Sequence, residues 1–292
     1  MMTNETTDAL VSVGWVVDRL DEFRRDDPSF RLLEVDIDPS NYDDGHVPGA
    51  TKVDWKTELQ DSTTFDVPTK DDFEALLGGH GIAGDTTVVL YGDMMNWFAA
   101  YAYWLLTYYG HDDVRLLNGG RESWLGRDVP VTDEVPQFTA QSYDAAEPDG
   151  SIRADQPDVL DAIPRDASLI DVRTPEEYRG EILAPPGWNE GVQRGGHIPG
   201  AVNIPWSQVV DDAGCFKPEA ELRAIYEESG IDGTGEILTY CRIGERSALT
   251  WFVLHELLGY DAVRNYYGSW VEWGNTVGAP IEKGQRAEIR QQ

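Results

Sequence analysis

The sequence predicts an α/β fold written twice, each copy a parallel sheet flanked by helices on both faces. Three observations carry this expectation. The chain has 292 residues, enough for two domains, and 41% of them are hydrophobic, enough to fill a core in each. Short β-branched runs alternate with amphipathic stretches, the pattern of buried parallel strands between covering helices. The order and spacing of the signals in the first half recur in the second.

The repeat is visible residue by residue. Leu32-Leu33-Glu34-Val35-Asp36 leads to His46-Val47-Pro48-Gly49-Ala50 and Val53-Asp54-Trp55, while Leu169-Ile170-Asp171-Val172-Arg173 leads to His197-Ile198-Pro199-Gly200-Ala201 and Ile204-Pro205-Trp206. Thr87 to Tyr91 and Glu236 to Tyr240 read as strands, each followed by a long helical run, Asn96 to Tyr108 and Ser247 to Leu258. Thr69 to Leu77 reads as a helix with Thr69 as its N-cap. Both halves then carry Asp-x-Val-Arg, at Asp112 to Arg115 and Asp261 to Arg264. Both close on Trp, Gly and Pro signals, Trp124 to Pro130 and Trp273 to Pro280. The expected boundaries are 10–135 for the first domain, 136–150 for a polar linker and 151–285 for the second. The second half carries an insertion, since 26 positions separate Asp171 from His197 against 12 from Glu34 to His46. A loop of that size with little structure of its own points to function.

Composition excludes several classes. Against 23 Lys and Arg stand 53 Asp and Glu, a net charge of −30. Such a surface repels nucleic acid and anionic membrane. The acids are spread along the chain, and only five of the basic residues are lysines, at 52, 56, 70, 217 and 283. That balance suits a high-salt cytoplasm, where screening suppresses self-repulsion, so a halophilic origin is expected. Two cysteines, Cys215 and Cys241, are too few for a disulfide scaffold and fit a reducing cytoplasmic setting. No apolar run reaches the length of a membrane span, and residues 1–14 lack signal-peptide regions. The five histidines are scattered and the cysteines lie 26 apart, so no metal is expected; no dinucleotide fingerprint follows a strand, and no cofactor is expected either.

The chemistry concentrates in Cys241-Arg242-Ile243-Gly244-Glu245-Arg246, between a buried strand and a helix. Ligands of open α/β sheets sit beyond the carboxyl ends of strands. Backbone N–H groups of Ile243, Gly244, Glu245 and Arg246 are expected to converge on the sulfur, with Gly244 permitting the curvature. The following helix aims its positive end at the same place. An ordinary thiol has a pKa of roughly 8.5, and these surroundings are expected to lower it, Arg242 and Arg246 outweighing Glu245. The bland alternative, a small buried apolar cysteine, fits poorly with the charged and Gly-containing residues that follow. A Cys-dependent phosphatase is the rival enzyme reading, but such loops are longer than the four residues, 242 to 245, that separate Cys241 from Arg246. Cys215, in Gly214-Cys215-Phe216, has no such setting and reads as structural.

These residues resemble the rhodanese family, specifically its tandem-domain thiosulfate sulfurtransferases. The resemblance rests on Cys241 to Ser247, on Arg194-Gly195-Gly196-His197-Ile198-Pro199-Gly200-Ala201 and on Gly268-Ser269-Trp270-Val271-Glu272-Trp273, and covers residues 10–285. It implies two rhodanese-like domains, the first inactive and the second catalytic. An ungapped alignment agrees, placing Gly92 opposite Cys241 with Asp93 beside it. It also implies double displacement: Cys241 takes the outer sulfur of thiosulfate, becomes a persulfide, and yields that sulfur to cyanide or a thiol. The partners so implied are a small anionic sulfur donor and a thiophilic acceptor, with a protein acceptor as a further option. Loop amides would bind the persulfide, and Arg242 and Arg246 the sulfonate oxygens.

Other residues carry paired readings. The family often has a basic residue near Glu177-Tyr178-Arg179-Gly180, which makes Arg179 a candidate substrate arginine; a solvated helix-end charge is the blander account, and Glu177 occupies another register for that position. His46 and His197 precede the same Pro-Gly-Ala turn in both halves and read as turn-fixing. Asp171 and Arg173 either orient the loop or pair with each other. Trp270 and Trp273 line a cleft or pack the core. Mercaptopyruvate is the rival donor, and a persulfide carrier or binding module serving a biosynthetic partner is the reading from another class.

Overall fold

The β-branched runs become the central strands of two parallel sheets. The structure is a computed structural model that describes residues 8–165, 167–188 and 191–284. By spatial clustering the chain forms two units, Met1–Asp149 with Val210–Pro218, and Gly150–Val209 with Glu219–Gln292.

In the first unit the strands are β1 (Leu10–Val11), β2 (Phe30–Glu34), β3 (Ala50–Lys52), β4 (Thr87–Tyr91) and β5 (Val114–Leu117). They lie in the order β1-β5-β4-β2-β3, all parallel. The helices are α1 (Val13–Val17), α2 (Leu20–Phe23), α3 (Trp55–Glu58), α4 (Lys70–Gly79), α5 (Asp93–Tyr108) and α6 (Gly120–Leu125). Every residue of β4 is buried, as expected of a strand covered on both faces. Thr69 caps α4 as its sequence predicts, its hydroxyl accepting from Asp72 N at 3.2 Å. Residues 136–150, expected as a linker, contain no helix or strand and run along the first unit: Gln141 N donates to Gly78 O and Ala146 N to Tyr109 O, each at 2.9 Å.

The second unit repeats the arrangement. Its strands are β6 (Arg153–Ala154), β7 (Ser168–Asp171), β8 (Val202–Asn203), β9 (Ile237–Tyr240) and β10 (Val263–Tyr266), in the order β6-β10-β9-β7-β8. Its helices are α7 (Gln156–Ala162), α8 (Pro175–Arg179), α9 (Glu219–Glu227), α10 (Glu245–Phe252) and α11 (Ser269–Asn275). The helical run after β9 is not uniform: beyond Phe252 it widens into a π-turn over Val253–Leu257, where Leu258 N reaches Val253 O at 3.0 Å.

The duplication extends to single hydrogen bonds. The hydroxyl of Tyr91 takes the N–H of Val47 at 3.0 Å, and that of Tyr240 takes Ile198 N at 3.1 Å. Trp124 Nε1 donates to Pro130 O at 3.0 Å, and Trp273 Nε1 to Pro280 O at 2.8 Å. His46 and His197 each stack on a tyrosine, Tyr42 at 3.6 Å and Tyr178 at 3.7 Å, and each sets its Nδ1 against that tyrosine's carbonyl oxygen. Both histidines therefore fix the turn before the Pro-Gly-Ala motif. No described helix is long and apolar enough to cross a membrane.

Candidate active site

The site starts where β9 ends. Tyr240 is buried in the core, so the next residue, Cys241, leaves the sheet at the carboxyl edge of a central strand, and its side chain has no exposed surface. The chain then turns through Gly244, whose φ of 98° is left-handed and whose added Cβ would lie 2.8 Å from Tyr267 O. Only glycine fits there. That turn lets Gly244 N donate to Cys241 Sγ at 3.2 Å and starts α10 at Glu245.

The loop is held from beneath and from the side. Asn265, on β10, donates its Nδ2 to Gly244 O at 3.0 Å, and the Ser247 hydroxyl lies 3.0 Å from the same oxygen. The first turn of α11 takes the loop carbonyls: Trp270 N donates to Cys241 O at 3.2 Å and Val271 N to Arg242 O at 2.9 Å. Ser269 accepts from Cys241 N at 3.1 Å while donating to Tyr266 O at 2.8 Å. A buried loop with its backbone satisfied in this way is preorganised.

The charges differ from the sequence expectation. Arg246 is buried in an ion pair with Glu177 of α8, at 3.2 and 3.3 Å. Glu177 is fixed by a capping box: Thr174 Oγ1 accepts from Glu177 N at 3.3 Å, and Glu177 Oε2 accepts from Thr174 N at 3.1 Å. Burial alone would raise the Glu177 carboxyl, but Arg246, with Arg173 and Thr174, holds it below its ordinary value. Glu245 turns its carboxylate toward the sulfur, Oε2 lying 3.7 Å from Sγ. Burial, and then Glu245, push the Cys241 thiol up; Arg246 and hydrogen bonds from Ser247 act against them. The expectation that the loop lowers the thiol is therefore corrected. One arginine is neutralised by Glu177, and the loop's own acid faces the sulfur.

Gly244, Glu245 and Arg246 act on the Cys241 sulfur, the first through its amide and the other two through their charges, while Arg242 and Ile243 complete the loop between them. Arg179 is placed elsewhere: its guanidinium pairs with Glu181 at 2.7 Å and Glu176 at 3.3 Å on the partly exposed end of α8. Glu177, two positions earlier, is the residue of α8 that reaches the loop. Asp171 and Arg173 pair with each other, Nε to Oδ1 at 2.9 Å, and Arg173 lies 4.3 Å over the ring of Trp270. Burial opposes the Arg173 charge, and Asp171 overcomes it. Trp270 and Trp273 are wholly buried and belong to the core. Sequence reasoning missed the side-chain roles of Glu177, Ser269 and Asn265. The Thr174-x-x-Glu177 spacing is a capping-box signal that points to the first of them.

The corresponding loop of the first unit is closed by its own side chains. Arg121 N donates to Gly92 O at 2.8 Å, as Trp270 N does to Cys241 O, which sets Gly92 opposite Cys241. Asp93 N goes to Asp36 Oδ1 at 2.7 Å, and Met94 N to Glu122 Oε1 at 2.8 Å. Met94, Met95 and Asn96 all have left-handed φ, between 46° and 70°. A Cβ on Gly92 would lie 2.1 Å from Val35 O. Cys215 is a half-buried free thiol of this same unit, its Sγ 4.0 Å from Ser123 Oγ. Among the described residues no cluster of His, Cys, Asp or Glu could hold a metal ion.

The rhodanese-like domain model matches twice, over residues 13–127 and 155–276, one match for each sheet. The chain belongs to the rhodanese family. It is a sulfurtransferase. It is 58% identical over 277 residues to a protein of Haloferax volcanii, a halophile, named "Putative thiosulfate sulfurtransferase", covering 95% of this chain and 97% of that one. It is 50% identical over 283 residues to the sulfur carrier protein TtuD of Thermus thermophilus, covering 95% and 98%. Among solved structures, EanB with a cysteine persulfide and ergothioneine in a tetrahedral intermediate state superposes with a TM-score of 0.86 at 28% identity, covering 98% of this chain and 73% of EanB. This rhodanese therefore uses a sulfur donor and a sulfur acceptor, as its family does.

Proposed function

We propose that this rhodanese moves sulfane sulfur from thiosulfate to cyanide or a thiol by double displacement, with Cys241 as the sulfur-carrying nucleophile. The observation that carries the reading is a buried sulfur at a strand end, with a backbone donor at 3.2 Å and a tightly curved loop around it. Sγ attacks the outer sulfur of thiosulfate, the donor S–S bond breaks with its electron pair on sulfite, and a persulfide remains. Gly244 N–H offers a hydrogen bond to that sulfur, as an oxyanion-hole donor does to oxygen. An acceptor nucleophile then takes the outer sulfur and regenerates Cys241. Arg242, Ile243, Gly244, Glu245 and Arg246 line the donor's place. Arg179 is left out of this reading because Glu176 and Glu181 hold its guanidinium.

The likeness to a sulfur carrier supports a second acceptor class, a protein thiol, served by the same persulfide. The test is mass spectrometry after incubation with thiosulfate. One added sulfur on Cys241, absent from Cys241→Ser, is the expected result; an unmodified wild-type Cys241 overturns the reading. Parallel kcat/KM values for thiosulfate and mercaptopyruvate decide the donor, and a preference for mercaptopyruvate overturns the choice of thiosulfate.

A further inference from the structure

A thiol gives up its proton as its sulfur attacks, and a buried one needs a neighbouring group to take it. The Cys241 side chain is wholly buried, and the nearest acid is Glu245, itself only 3% exposed, with Oε2 3.7 Å from Sγ. The sulfur thus sits between a donor, Gly244 N–H, and an acceptor, the Glu245 carboxylate, the geometry of a thiol that gives its hydrogen to the acid. The other charged and polar groups near this pair include Arg242, buried next to Cys241 in the loop. On α10, Arg246 is paired with Glu177 of α8, and Ser247 bonds to the loop. Beside β7, Arg173 is paired with Asp171, and on α11 Ser269 is bonded to the Cys241 amide.

Resting on the persulfide reading above, we infer that the Glu245 carboxylate takes the Cys241 proton as the sulfur attacks, which makes Glu245 a catalytic residue and not only part of the loop. The S–H bond breaks, the proton passes to Glu245, and the sulfur's electron pair forms the bond to the outer sulfur of thiosulfate. The donor S–S bond breaks with its pair on sulfite, and Glu245 returns the proton to sulfite, leaving as hydrogen sulfite. A thiol and a dianion thus become a persulfide anion and a monoanion, with charge and atoms balanced. With a thiol acceptor the same carboxylate takes the acceptor's proton as that thiol attacks the outer sulfur; the persulfide S–S bond breaks with its pair on Cys241 Sγ, the proton passes to that sulfur, and the acceptor leaves as a persulfide anion. This assignment explains why a nucleophilic loop contains an acid whose charge alone opposes a thiolate.

The test compares the wild-type chain with Glu245→Gln and Glu245→Asp in two measurements. One is the pH dependence of Cys241 alkylation by iodoacetamide, read on its own peptide so that Cys215 does not contribute. The other is the single-turnover rate of persulfide formation from thiosulfate at neutral pH. For Glu245→Gln the alkylation midpoint should move to lower pH, because a neighbouring anion is gone, while the transfer rate falls on the order of 10²-fold. A purely repelling charge predicts the opposite for transfer, so a Gln variant as fast as wild type or faster overturns the assignment. Glu245→Asp keeps the charge at a greater reach. It should hold the alkylation midpoint high and transfer more slowly than wild type, and an unchanged rate overturns the assignment even if the Gln variant does not fold. Should wild-type Cys241 gain no sulfur from thiosulfate, the thiosulfate reading falls; an organic persulfide as donor to the same three proteins then decides the role of Glu245.

Discussion

Glu177 and Arg246 form an ion pair at 3.2 Å in which their side chains are 0% and 4% exposed. The pair joins the capping box of α8 to α10, the helix that follows the turn at Cys241. Buried pairs of this kind add little to stability over an apolar alternative, yet breaking one leaves a charge with no partner, at a cost of about 3–5 kcal/mol. Glu177→Gln keeps a capping-box side chain and removes only the charge. It should unfold at distinctly lower denaturant with an unchanged m-value and lose sulfur transfer. Unaltered denaturation would show that Arg246 finds another anion.

Gly92→Cys should not create a second active site. The added Cβ would meet Val35 O, a backbone atom that cannot swing aside, so overpacking of about 1–3 kcal/mol is expected. Mass spectrometry after thiosulfate should find sulfur on Cys241 and none on the introduced cysteine. A persulfide at position 92 would refute the steric argument.

Asp36 lies buried beside Glu34 and Asp93, and its pKa is raised to about 9, by burial first and then by Glu34. Its ordinary value is 3.8, so between the two the folded chain holds a proton that the unfolded chain has released. Its contribution to stability is complete below the unfolded value and is lost as pH rises through the folded one. Asp36→Asn mimics the protonated acid and removes this titration. Melting curves from pH 5 to 10 should show the wild type losing stability relative to the variant as pH rises; parallel curves would exclude the assignment.

With 53 acidic and 23 basic residues, self-repulsion should dominate at low ionic strength. The melting temperature is expected to rise steadily between low and molar KCl. A flat response would mean that the acids are compensated within the fold.

The sheets, the repeat and the loop were legible because each rests on a local signal: β-branched runs, matched spacing, and a cysteine followed by charges and glycine. What was not legible depends on direction. On α8, Glu177 and Arg179 differ by two positions, about 200° around a helix, and so point to opposite sides. A helix of five residues has too little periodicity to show which side faces the core. The same applies at the loop, where counting charges gave a positive balance. The fold cancels one arginine with Glu177 and turns Glu245 inward, and neither is a property of spacing. Residues 210–218 belong to the second half by sequence, yet they cluster with the first unit, where Phe216 N donates to Asn118 Oδ1 at 2.9 Å. That contact spans 98 positions and has no local signature.

The acid that ends β2 in the first copy and β7 in the second is neutralised from different places. In the second, Asp171 draws its cation from Arg173, two residues along the same chain, and Trp270 lies over it. In the first, position 36 is an acid, and Glu34 draws its cation from Arg121, at the place Trp270 holds in the second. The halves have therefore ceased to be interchangeable parts. A crossover exchanging the segment that begins at Gly119 for the one that begins at Gly268 would bury two cations against one acid in one product and strand Glu34 in the other. A gene containing two copies of one fold is exposed to such unequal exchange, and this mismatch of buried charge works as a barrier to it.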